Sequence, residues 1–328
     1  MKIGVVGGTG NISASFVRLL LQQGHEVVCF NRRQSRKPPE SVRVIQGDRN
    51  DREAFERAMQ AEKFDAAIDM ICFNKEEAES SLRAFRGVGH FVQCSTVCTY
   101  GVEYDWLPVS EDHPLRPITD YGRGKVEADQ VFLEAHARES FPVTIIKPST
   151  TYGPIMGLPR QTALELSWID RIRKGKPIIV CGDGKAIFQA LHVDDAALCF
   201  ANVLGKRHCI GKTYNLTKKE FHSWEDYHRT AMKALGREVE LVGVPLADLV
   251  ALNVPGIGIC RDIFAHNTLY DPSALFEDVP EFRPRISLEE GIRNVIEALD
   301  AEGRIPNSDG EGWEDRIIEA QRKVREVR

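Results

Sequence analysis

The feature that most constrains the fold is a glycine-rich segment at the start of the chain. Lys2–Val6 is an apolar run that predicts a strand, Gly7-Gly-Thr-Gly10 follows as a tight turn, and helical periodicity begins at Ile12. This order sets free backbone N–H groups and the positive end of a helix dipole beside the turn. The two outer glycines let a pyrophosphate approach the backbone more closely than a Cβ would allow. The segment therefore predicts a dinucleotide site on a Rossmann domain, with Ser13 in place of the third glycine of the motif.

The residues expected to contact the dinucleotide lie in this turn and after the next two predicted strands. They are Gly7, Thr9, Gly10, Asn11, Ile12, Asn31, Arg32, Arg33 and Asp48. An acidic residue after the second strand would bind the ribose diol of NAD, but Asn31-Arg32-Arg33 stands there. Two guanidinium groups favour the 2′-phosphate of NADP, although arginines that simply face solvent are the alternative. Asp48 is placed to accept a hydrogen bond from the adenine amine.

Strands and helices alternate through the first half of the chain, which predicts an α/β fold with a doubly wound parallel sheet. The predicted strands are Lys2–Val6, Glu26–Phe30, Val42–Ile45, Ala66–Met70, His90–Cys94 and Val143–Lys147, and the predicted helices are Ile12–Gln23, Asp51–Ala61, Lys75–Phe85 and Tyr121–Glu139. Residues 1–154 are thus expected to form an NAD(P)-binding Rossmann domain.

The pattern changes after about Pro154, where segments become shorter and are interrupted by proline and glycine. Predicted elements there are helices at Val193–Leu204, Trp224–Leu235 and Leu288–Leu299 and strands at Thr213–Leu216 and Val239–Val244. We expect residues 155–328 to form a smaller mixed α/β lobe for the substrate, with some of its helices returning to the Rossmann core.

Composition narrows the classes of protein that the chain can belong to. The formal net charge is −5 and no dense Lys/Arg run occurs, which argues against a nucleic-acid partner. No apolar run reaches the roughly 18 residues of a membrane span, and the eight cysteines contain no CxxC pair, so we expect buried free thiols and no metal. Because the first strand begins at Lys2, no targeting peptide is expected and a cytoplasmic location is predicted. The C-terminal acids, such as Glu314, alternate with bases, which predicts a solvated helix face.

Three polar residues point to acid–base chemistry. Thr96 follows the fifth predicted strand, at the carboxyl edge of the sheet, and Tyr121 and Lys125 open the next helix. Their i, i+4 spacing brings both side chains to one helix face. A phenol with a pKa near 10 is a weak base at neutral pH, and a neighbouring ammonium with a positive nicotinamide ring would lower that pKa. The sequence therefore predicts Tyr121 as acid and base, with Thr96 orienting the substrate oxygen.

Together these motifs resemble the extended short-chain dehydrogenase/reductase superfamily, in particular its nucleotide-sugar epimerase/dehydratase branch, over nearly the whole chain. Further matching segments are Lys147-Pro-Ser-Thr-Thr-Tyr-Gly-Pro154, His192-Val-Asp-Asp-Ala196, Tyr214-Asn-Leu216, and Phe282-Arg-Pro284 with Leu288-Glu-Glu-Gly291. The resemblance implies that Tyr121 and Lys125 carry catalysis, that Pro148 to Thr150 lie near the nicotinamide, and that the protein is a homodimer through the helices after the fourth and fifth strands. His192 is a candidate substrate contact, although its segment mostly ties lobe to core in this family.

Departures from the family pattern limit the reaction. Family 4,6-dehydratases place an Asp-Glu pair after the catalytic Thr, where this chain has Val97 and Cys98, so elimination of water by that route is not expected. Cys98 falls where members resembling GDP-mannose 3,5-epimerase carry an acid/base cysteine, and a nearby Lys125 would lower the thiol pKa. Packing is the other interpretation of Cys98, and we prefer it. Arg160 is a candidate for the lysine that partners the cysteine in that epimerase and for a substrate contact.

Three functions remain from different classes. The leading prediction is a redox-neutral epimerase of a nucleotide sugar, with NAD as a recycled cofactor and a keto intermediate. The alternative is a net NADPH-dependent ketoreductase or dehydrogenase acting on a sugar or another small carbonyl compound, which Asn31-Arg32-Arg33 favours. The third is a cofactor-sensing or RNA-binding member without catalysis, against which the retained Tyr121 and Lys125 weigh.

Overall fold

The structure is a computed structural model that describes residues 1–32, 36, 38–310 and 312–326. The chain divides into two compact units. Unit 1 comprises Met1–Thr151, Val193–Lys219 and Tyr270–Arg285, and unit 2 comprises Tyr152–His192, Glu220–Leu269 and Ile286–Arg328. No helix among the described residues is both long enough and apolar enough to cross a bilayer.

The first half of the chain alternates strands and helices. Its elements are β1 (Lys2–Val6), α1 (Asn11–Gln22), β2 (Glu26–Asn31), β3 (Arg43–Gln46), α2 (Arg52–Gln60), β4 (Ala66–Asp69), α3 (Lys75–Ala84), β5 (His90–Cys94), a 3-10 turn (Val97–Tyr100), α4 (Asp120–Glu139), β6 (Val143–Pro148) and β7 (Thr150–Tyr152). The predicted strands and helices of this half agree with these bounds to within two residues.

The second half of the chain has shorter strands and helices. It contains α5 (Ser167–Lys174), β8 (Ile178–Cys181), β9 (Ile187–Phe188), β10 (Ala190–His192), α6 (Val193–Val203), β11 (Thr213–Leu216), β12 (His222–Ser223), α7 (Trp224–Ala234), β13 (Leu241–Val244), α8 (Leu246–Ala251), α9 (Ile257–Ile259), a π-helical turn (Cys260–Phe264), α10 (Ser273–Asp278), α11 (Leu288–Ala301) and α12 (Trp313–Glu326).

Unit 1 is built on a seven-stranded sheet in the order β11–β6–β5–β4–β1–β2–β3, with every neighbouring pair parallel. Helices flank the sheet, with α1 against α6 and α3 against α2 and α4. The predicted doubly wound Rossmann fold is confirmed. Because all strands run the same way, their carboxyl ends share one edge, where ligands bind in such sheets.

The core of unit 1 explains why α2, α3 and α4 lie where they do. Phe55, Phe85, Phe91 and Phe132 are fully or almost fully buried in one cluster, and neighbouring rings meet at centroid distances of 5.0 to 6.3 Å. Burial of each ring contributes roughly 1.5–3 kcal/mol relative to exposure. The helices are therefore held on the sheet by apolar contacts, and polar residues at the strand ends are left to form the site.

Unit 2 has its own core around Trp168, Trp224 and Tyr227, with Phe188 stacked on Trp224 at 4.0 Å between centroids. It contains two short strand pairs, β8 with β13 in parallel and β9 with β12 antiparallel. Unit 2 thus combines helices with short strand pairs, and it does not include residues 193–219 and 270–285, which belong to unit 1.

One expectation for the C-terminal helix is wrong. Glu314 of α12 is 2% exposed, and its carboxylate receives hydrogen bonds from Arg160 at 2.6 and 2.9 Å and from the backbone of Ile179 at 2.8 Å. The segment is therefore not solvated throughout. One of its acids, Glu314, is buried in an ion pair with Arg160, which lies 154 residues earlier in the chain.

Candidate active site and dinucleotide cavity

A cavity of about 460 Å³ lies at the carboxyl edge of the unit 1 sheet. Its volume is within the range of small-molecule sites. Six of the predicted cofactor residues line it: Gly7, Thr9, Gly10, Asn31, Arg32 and Asp48. Asn11 begins α1 immediately beyond the turn, with Ile12 next in the same helix.

The glycine turn has a backbone shape that a side chain would prevent. Gly7 has φ +83°, and a Cβ there would lie 2.7 Å from Ile71 Cγ2. Gly10 has φ −78°, which any residue adopts, so the conformational argument applies to Gly7 and not to Gly10. Ser13 Oγ accepts a hydrogen bond from Gly10 N at 2.8 Å and donates one to Gly7 O at 2.6 Å. The serine that replaces the third glycine therefore closes the turn, which keeps a cradle suited to phosphates.

The end of β2 carries no carboxylate. Asn31 is 4% exposed, and its side-chain oxygen accepts a hydrogen bond from Gly8 N at 2.9 Å. Arg32 is exposed and lines the cavity, whereas the predicted contact Arg33 lies outside the described residues. Asp48 is exposed and accepts a hydrogen bond from Asn50 N at 2.9 Å. Asn31 thus shapes the turn, and Arg32 is an exposed arginine at the rim of this cavity.

Arg49, which is not among the residues predicted from the sequence, also lines the cavity. Arg49 is 7% exposed, and its guanidinium donates to Asp69 Oδ1 at 3.1 Å, to Ile71 O at 2.7 Å and to Glu77 O at 3.0 Å. It therefore ties the ends of β3 and β4 to α3 behind the cavity. Its hydrogen-bond partners lie 20 to 32 residues further along the chain, so the sequence around Gly47-Asp48 does not indicate its role.

The three catalytic candidates come together in unit 1. Thr96 caps the 3-10 turn after β5 by accepting a hydrogen bond from Cys98 N at 3.2 Å. Tyr121 and Lys125 project from the first turns of α4, which Thr119 caps through Gly122 N at 3.0 Å. Lys125 Nζ donates to Cys94 O at 2.6 Å, so the lysine joins α4 to the end of β5.

The aromatic rings around Lys125 define the environment of its ammonium. Lys125 Nζ lies 4.7 Å from the ring centroid of Phe73 and 5.8 Å from that of Tyr121. The two rings are 6.2 Å apart. Lys125 is 1% exposed, while Tyr121 exposes 46% of its surface. The ammonium is thus buried beside a tyrosine that is itself partly exposed.

The expected lowering of the Tyr121 pKa does not occur in the protein alone. Burial of the phenol oxygen raises the pKa of Tyr121 above its ordinary value, and a hydrogen bond with Thr96 opposes this only in part. The phenol is therefore protonated at neutral pH. A positively charged nicotinamide beside the phenol would lower this pKa.

Cys98 does not have the electrostatics of a proton shuttle. Its thiol is near Thr96, but burial raises the pKa of Cys98 above its ordinary value despite the hydrogen bond with Thr96. The prediction that Lys125 lowers this pKa is therefore not met. Seven of the eight free cysteines are buried, and Cys98 is the partly exposed one.

The two predicted substrate contacts in unit 2 are both enclosed. Arg160 is 0% exposed and forms ion pairs with Glu314 and Glu165 at 2.6 and 2.9 Å. His192 is 2% exposed and its ring meets Tyr152 edge-on at 5.4 Å. The structure therefore does not present Arg160 or His192 to a ligand, because packing and ion pairing cover both. The local sequence did not indicate that these two side chains are buried.

The remaining predicted positions lie at the end of β6. Pro148 is its last residue and is buried, and Thr150 begins β7 and is partly exposed. No cluster of three or more potential metal ligands occurs among the residues that the structure describes.

Comparison with known proteins gives matches over most of the chain. The profile of the NAD dependent epimerase/dehydratase family matches residues 3–217. The chain is 28% identical to 2′-dehydrokanamycin reductase of Streptomyces kanamyceticus, covering 87% of this chain and 81% of that protein. It is also 28% identical to the chloroplast stem-loop binding protein of 41 kDa b of Arabidopsis thaliana, covering 72% of this chain and 63% of that protein.

Solved structures share the fold. UDP-glucuronic acid 4-epimerase of Bacillus cereus, in complex with UDP-glucuronic acid and NAD, superposes with a TM-score of 0.75 at 20% identity, covering 92% of this chain and all of that one. UDP-glucose 4-epimerase of Stenotrophomonas maltophila, with bound NAD, gives a TM-score of 0.78 at 21% identity over 93% of this chain.

Proposed function

The chain belongs to the NAD dependent epimerase/dehydratase family, and from that premise we propose that it transfers a hydride between a nicotinamide dinucleotide and a hydroxyl-bearing carbon of a sugar. The observation that carries the proposal is the grouping of Thr96, Tyr121 and Lys125 at the carboxyl edge of the unit 1 sheet. The glycine cavity at the same edge has a cradle at Gly7 that a Cβ would fill, which fits a dinucleotide.

Each of the three side chains has a distinct task. A dinucleotide held in the glycine cavity would supply or accept the hydride. Tyr121 gives its proton to the substrate oxygen during reduction and takes it back during oxidation. Thr96 donates a hydrogen bond to the same oxygen, and the Lys125 ammonium stabilises negative charge on the phenol oxygen.

Residues next to Thr96 limit the reaction further. Neither Val97 nor Cys98 supplies a carboxylate, and the raised pKa of the Cys98 thiol leaves it a poor base at neutral pH. Reactions that need a second base beside Tyr121, such as elimination of water, are therefore outside the proposal. Net reduction of a keto sugar and epimerisation at a single hydroxyl-bearing carbon need only Tyr121.

We favour net reduction with NADPH. One relative, which matches 87% of this chain, is a reductase. The end of β2 carries no carboxylate to bind the ribose diol of NAD, and Arg32 lies there instead, which suits the 2′-phosphate of NADP. Epimerisation of a nucleotide sugar with retained NAD is the second candidate, because the family profile and the folds of the epimerases favour it. The sequence motifs alone favour the opposite order.

The test begins with the nucleotide released when the purified protein is denatured, identified by mass spectrometry. Protein that is empty, binds NADPH from solution and consumes it with a keto sugar is the expected result. Stoichiometric NAD+ together with interconversion of UDP-sugars and no net NADPH consumption would instead support the epimerase and overturn the reductase.

A matched variant tests the cofactor choice. Arg32→Ser removes the cation at the rim and should weaken NADPH binding by about 10-fold or more while NADH binding changes little. Fluorescence titration of each reduced cofactor measures both constants. Equal effects on NADPH and NADH would count against a 2′-phosphate contact at Arg32.

The stem-loop binding relative raises RNA binding as a competing role. The acidic net charge and the intact Thr96, Tyr121 and Lys125 weigh against it. Titration of a labelled RNA stem-loop with the protein at moderate salt checks this, and specific binding that survives Tyr121→Phe would favour a sensor over an enzyme. The homodimer through α3 and α4 also stays a prediction.

A further inference from the structure

Beside the catalytic group, unit 1 encloses a polar network that the proposed chemistry does not use. Ser95 Oγ donates to Asp129 Oδ2 at 2.5 Å. Lys147 Nζ donates to Thr99 Oγ1 at 3.0 Å and lies 3.9 Å from Asp129 Oδ2. All four residues are at most 3% exposed, so the pair and its hydrogen bonds are shielded from water.

Stability alone is a poor explanation for this arrangement. Removing two charges from water costs several kcal/mol per ion, and apolar side chains of similar volume often stabilise a core as well or better. A buried ion pair with fixed hydrogen bonds instead provides a defined geometry, because each charged group has one low-energy position. The network therefore acts as a rigid connection between the elements that contribute to it.

Two of those elements carry catalytic groups next to the network residues. Ser95 precedes Thr96 directly, and Thr99 Oγ1 donates back to Thr96 O at 2.9 Å. Asp129 follows Lys125 by one turn of α4, on the same helix face. The hydrogen bond from Ser95 to Asp129 therefore fixes the hydroxyl of Thr96 relative to the helix that carries Tyr121 and Lys125.

The third element, β6, is held by Lys147. This residue precedes Pro148, at the strand end predicted to lie near the nicotinamide, and its ammonium lies 4.6 Å from the ring centroid of Tyr100 in the 3-10 turn. We propose that the buried Asp129–Lys147 pair is a positioning device that sets the distances among Thr96, Tyr121 and Lys125. This inference rests on the proposed function of those three residues.

The network also contributes charge near the phenol. Asp129 is close enough to Tyr121 to raise the pKa of the phenol, in addition to the effect of burial. Replacing its carboxylate by an amide removes that contribution and lowers the pKa of Tyr121. A residue that only supported the fold would not move this pKa.

The experiment compares Asp129→Asn, Lys147→Met and the conservative Lys147→Arg with Glu314→Gln, which breaks a buried ion pair of similar exposure in unit 2. Activity is expressed per molecule that binds NADPH, so that loss of folded protein does not count as loss of catalysis. We expect the Asn and Met variants to lose about 10- to 100-fold in kcat with KM and the NADPH dissociation constant nearly unchanged. Lys147→Arg should regain most of the loss.

A pH profile separates positioning from support of the fold. In the direction of alcohol oxidation, the rise in rate with pH should move to lower pH in Asp129→Asn and stay in place in Glu314→Gln. Unchanged kcat in both Asp129→Asn and Lys147→Met, or an equal loss in Glu314→Gln, would overturn the proposal.

Hydrogen exchange gives an answer that does not depend on activity. Backbone amides of residues 95–100 and 120–125 should exchange faster in Asp129→Asn than in wild type, and Glu314→Gln should leave both segments protected. If Tyr121→Phe retains full activity, the proposed function fails, and exchange still decides whether the pair holds the two segments. Unchanged exchange in Asp129→Asn refutes the positioning role in either case.

Discussion

Tyr121 is the residue on which the proposed chemistry depends most directly. The residue is partly exposed, its hydroxyl is hydrogen-bonded to Thr96, and its ring lies close to the buried ammonium of Lys125. Tyr121→Phe keeps the ring and its contact with Phe73 but removes the acid, so kcat should fall by about 100- to 10,000-fold. NADPH binding should persist, because the cavity residues are untouched. Steady-state kinetics and fluorescence titration measure the two effects, and Cys98→Ser, which changes a group assigned no chemistry, should retain activity.

The pH dependence of Tyr121 follows from the sign of its shift. Burial raises the pKa of the phenol above its ordinary value near 10. Reduction needs the protonated form, which is populated below that pKa, so the rate of ketone reduction should show no loss from Tyr121 between about pH 6 and 9. Oxidation needs the phenolate, so its rate should rise across the same range. A reduction rate that already falls near neutral pH, in wild type but not in Tyr121→Phe, would contradict the raised pKa.

Among the elements, α4 depends on a glycine at its second turn. A Cβ on Gly124 would collide with the carbonyl oxygen of Phe73, so the helix approaches the loop before α3 more closely than an alanine permits. Gly→Ala inside a helix normally stabilises by roughly 0.5–1 kcal/mol, but here the overlap should cost about 1–3 kcal/mol instead. Because Phe73 and Tyr121 are in contact, kcat should fall as well.

Urea unfolding and kinetics of Gly124→Ala test this. Gly258→Ala is the matched control, since a Cβ there meets no atom within 4 Å. Equal stability of the two variants would mean that the close approach of α4 to the Phe73 loop is not required.

The elements of unit 1 were predictable because each one has a local signature. Apolar runs of the right length gave β1 and β5, and the glycine turn fixed where α1 begins. The position of β11 beside β6 was not predictable, since pairing of Thr213–Leu216 with Ile145–Pro148 joins segments far apart in the chain.

The candidate site also contains some residues that the sequence predicts and others that it does not. Thr96, Tyr121, Lys125 and the turn at Gly7 follow from spacing along strands and helices, and the structure brings them to one sheet edge. Arg49 and Asp129 depend on partners in other elements, so no local pattern revealed them. The burial of Arg160 is of the same kind, because its partner Glu314 belongs to the last helix.

At the scale of the whole molecule, each unit buries a histidine whose pKa is strongly lowered by burial, His90 in unit 1 and His228 in unit 2. His90 in unit 1 accepts a hydrogen bond from Gly205 N at 2.9 Å through Nδ1, so its proton is on Nε2, facing Thr144. Burial lowers the pKa of His90 to about 4. His228 in unit 2 is 0% exposed beside Trp168, and burial lowers the pKa of His228 to about 3.

These depressed pKa values predict acid instability in both units. Unfolding restores each histidine to a pKa near 6.5, so the unfolded chain binds protons as the pH falls below 6.5 while the folded chain does not. Each histidine should therefore cost roughly 2 kcal/mol of unfolding free energy by pH 5.

Urea unfolding at about pH 7.5 and pH 5, followed separately for each unit if two transitions appear, measures this loss. His90→Gln should reduce the pH dependence of unit 1 and His228→Gln that of unit 2, whatever their stability at neutral pH. His208→Gln changes an exposed ring and should leave both dependences as in wild type. If a single variant removes the pH dependence of both transitions, the two units do not unfold separately. If all variants keep the same pH dependence, the acid sensitivity comes from groups other than these two histidines.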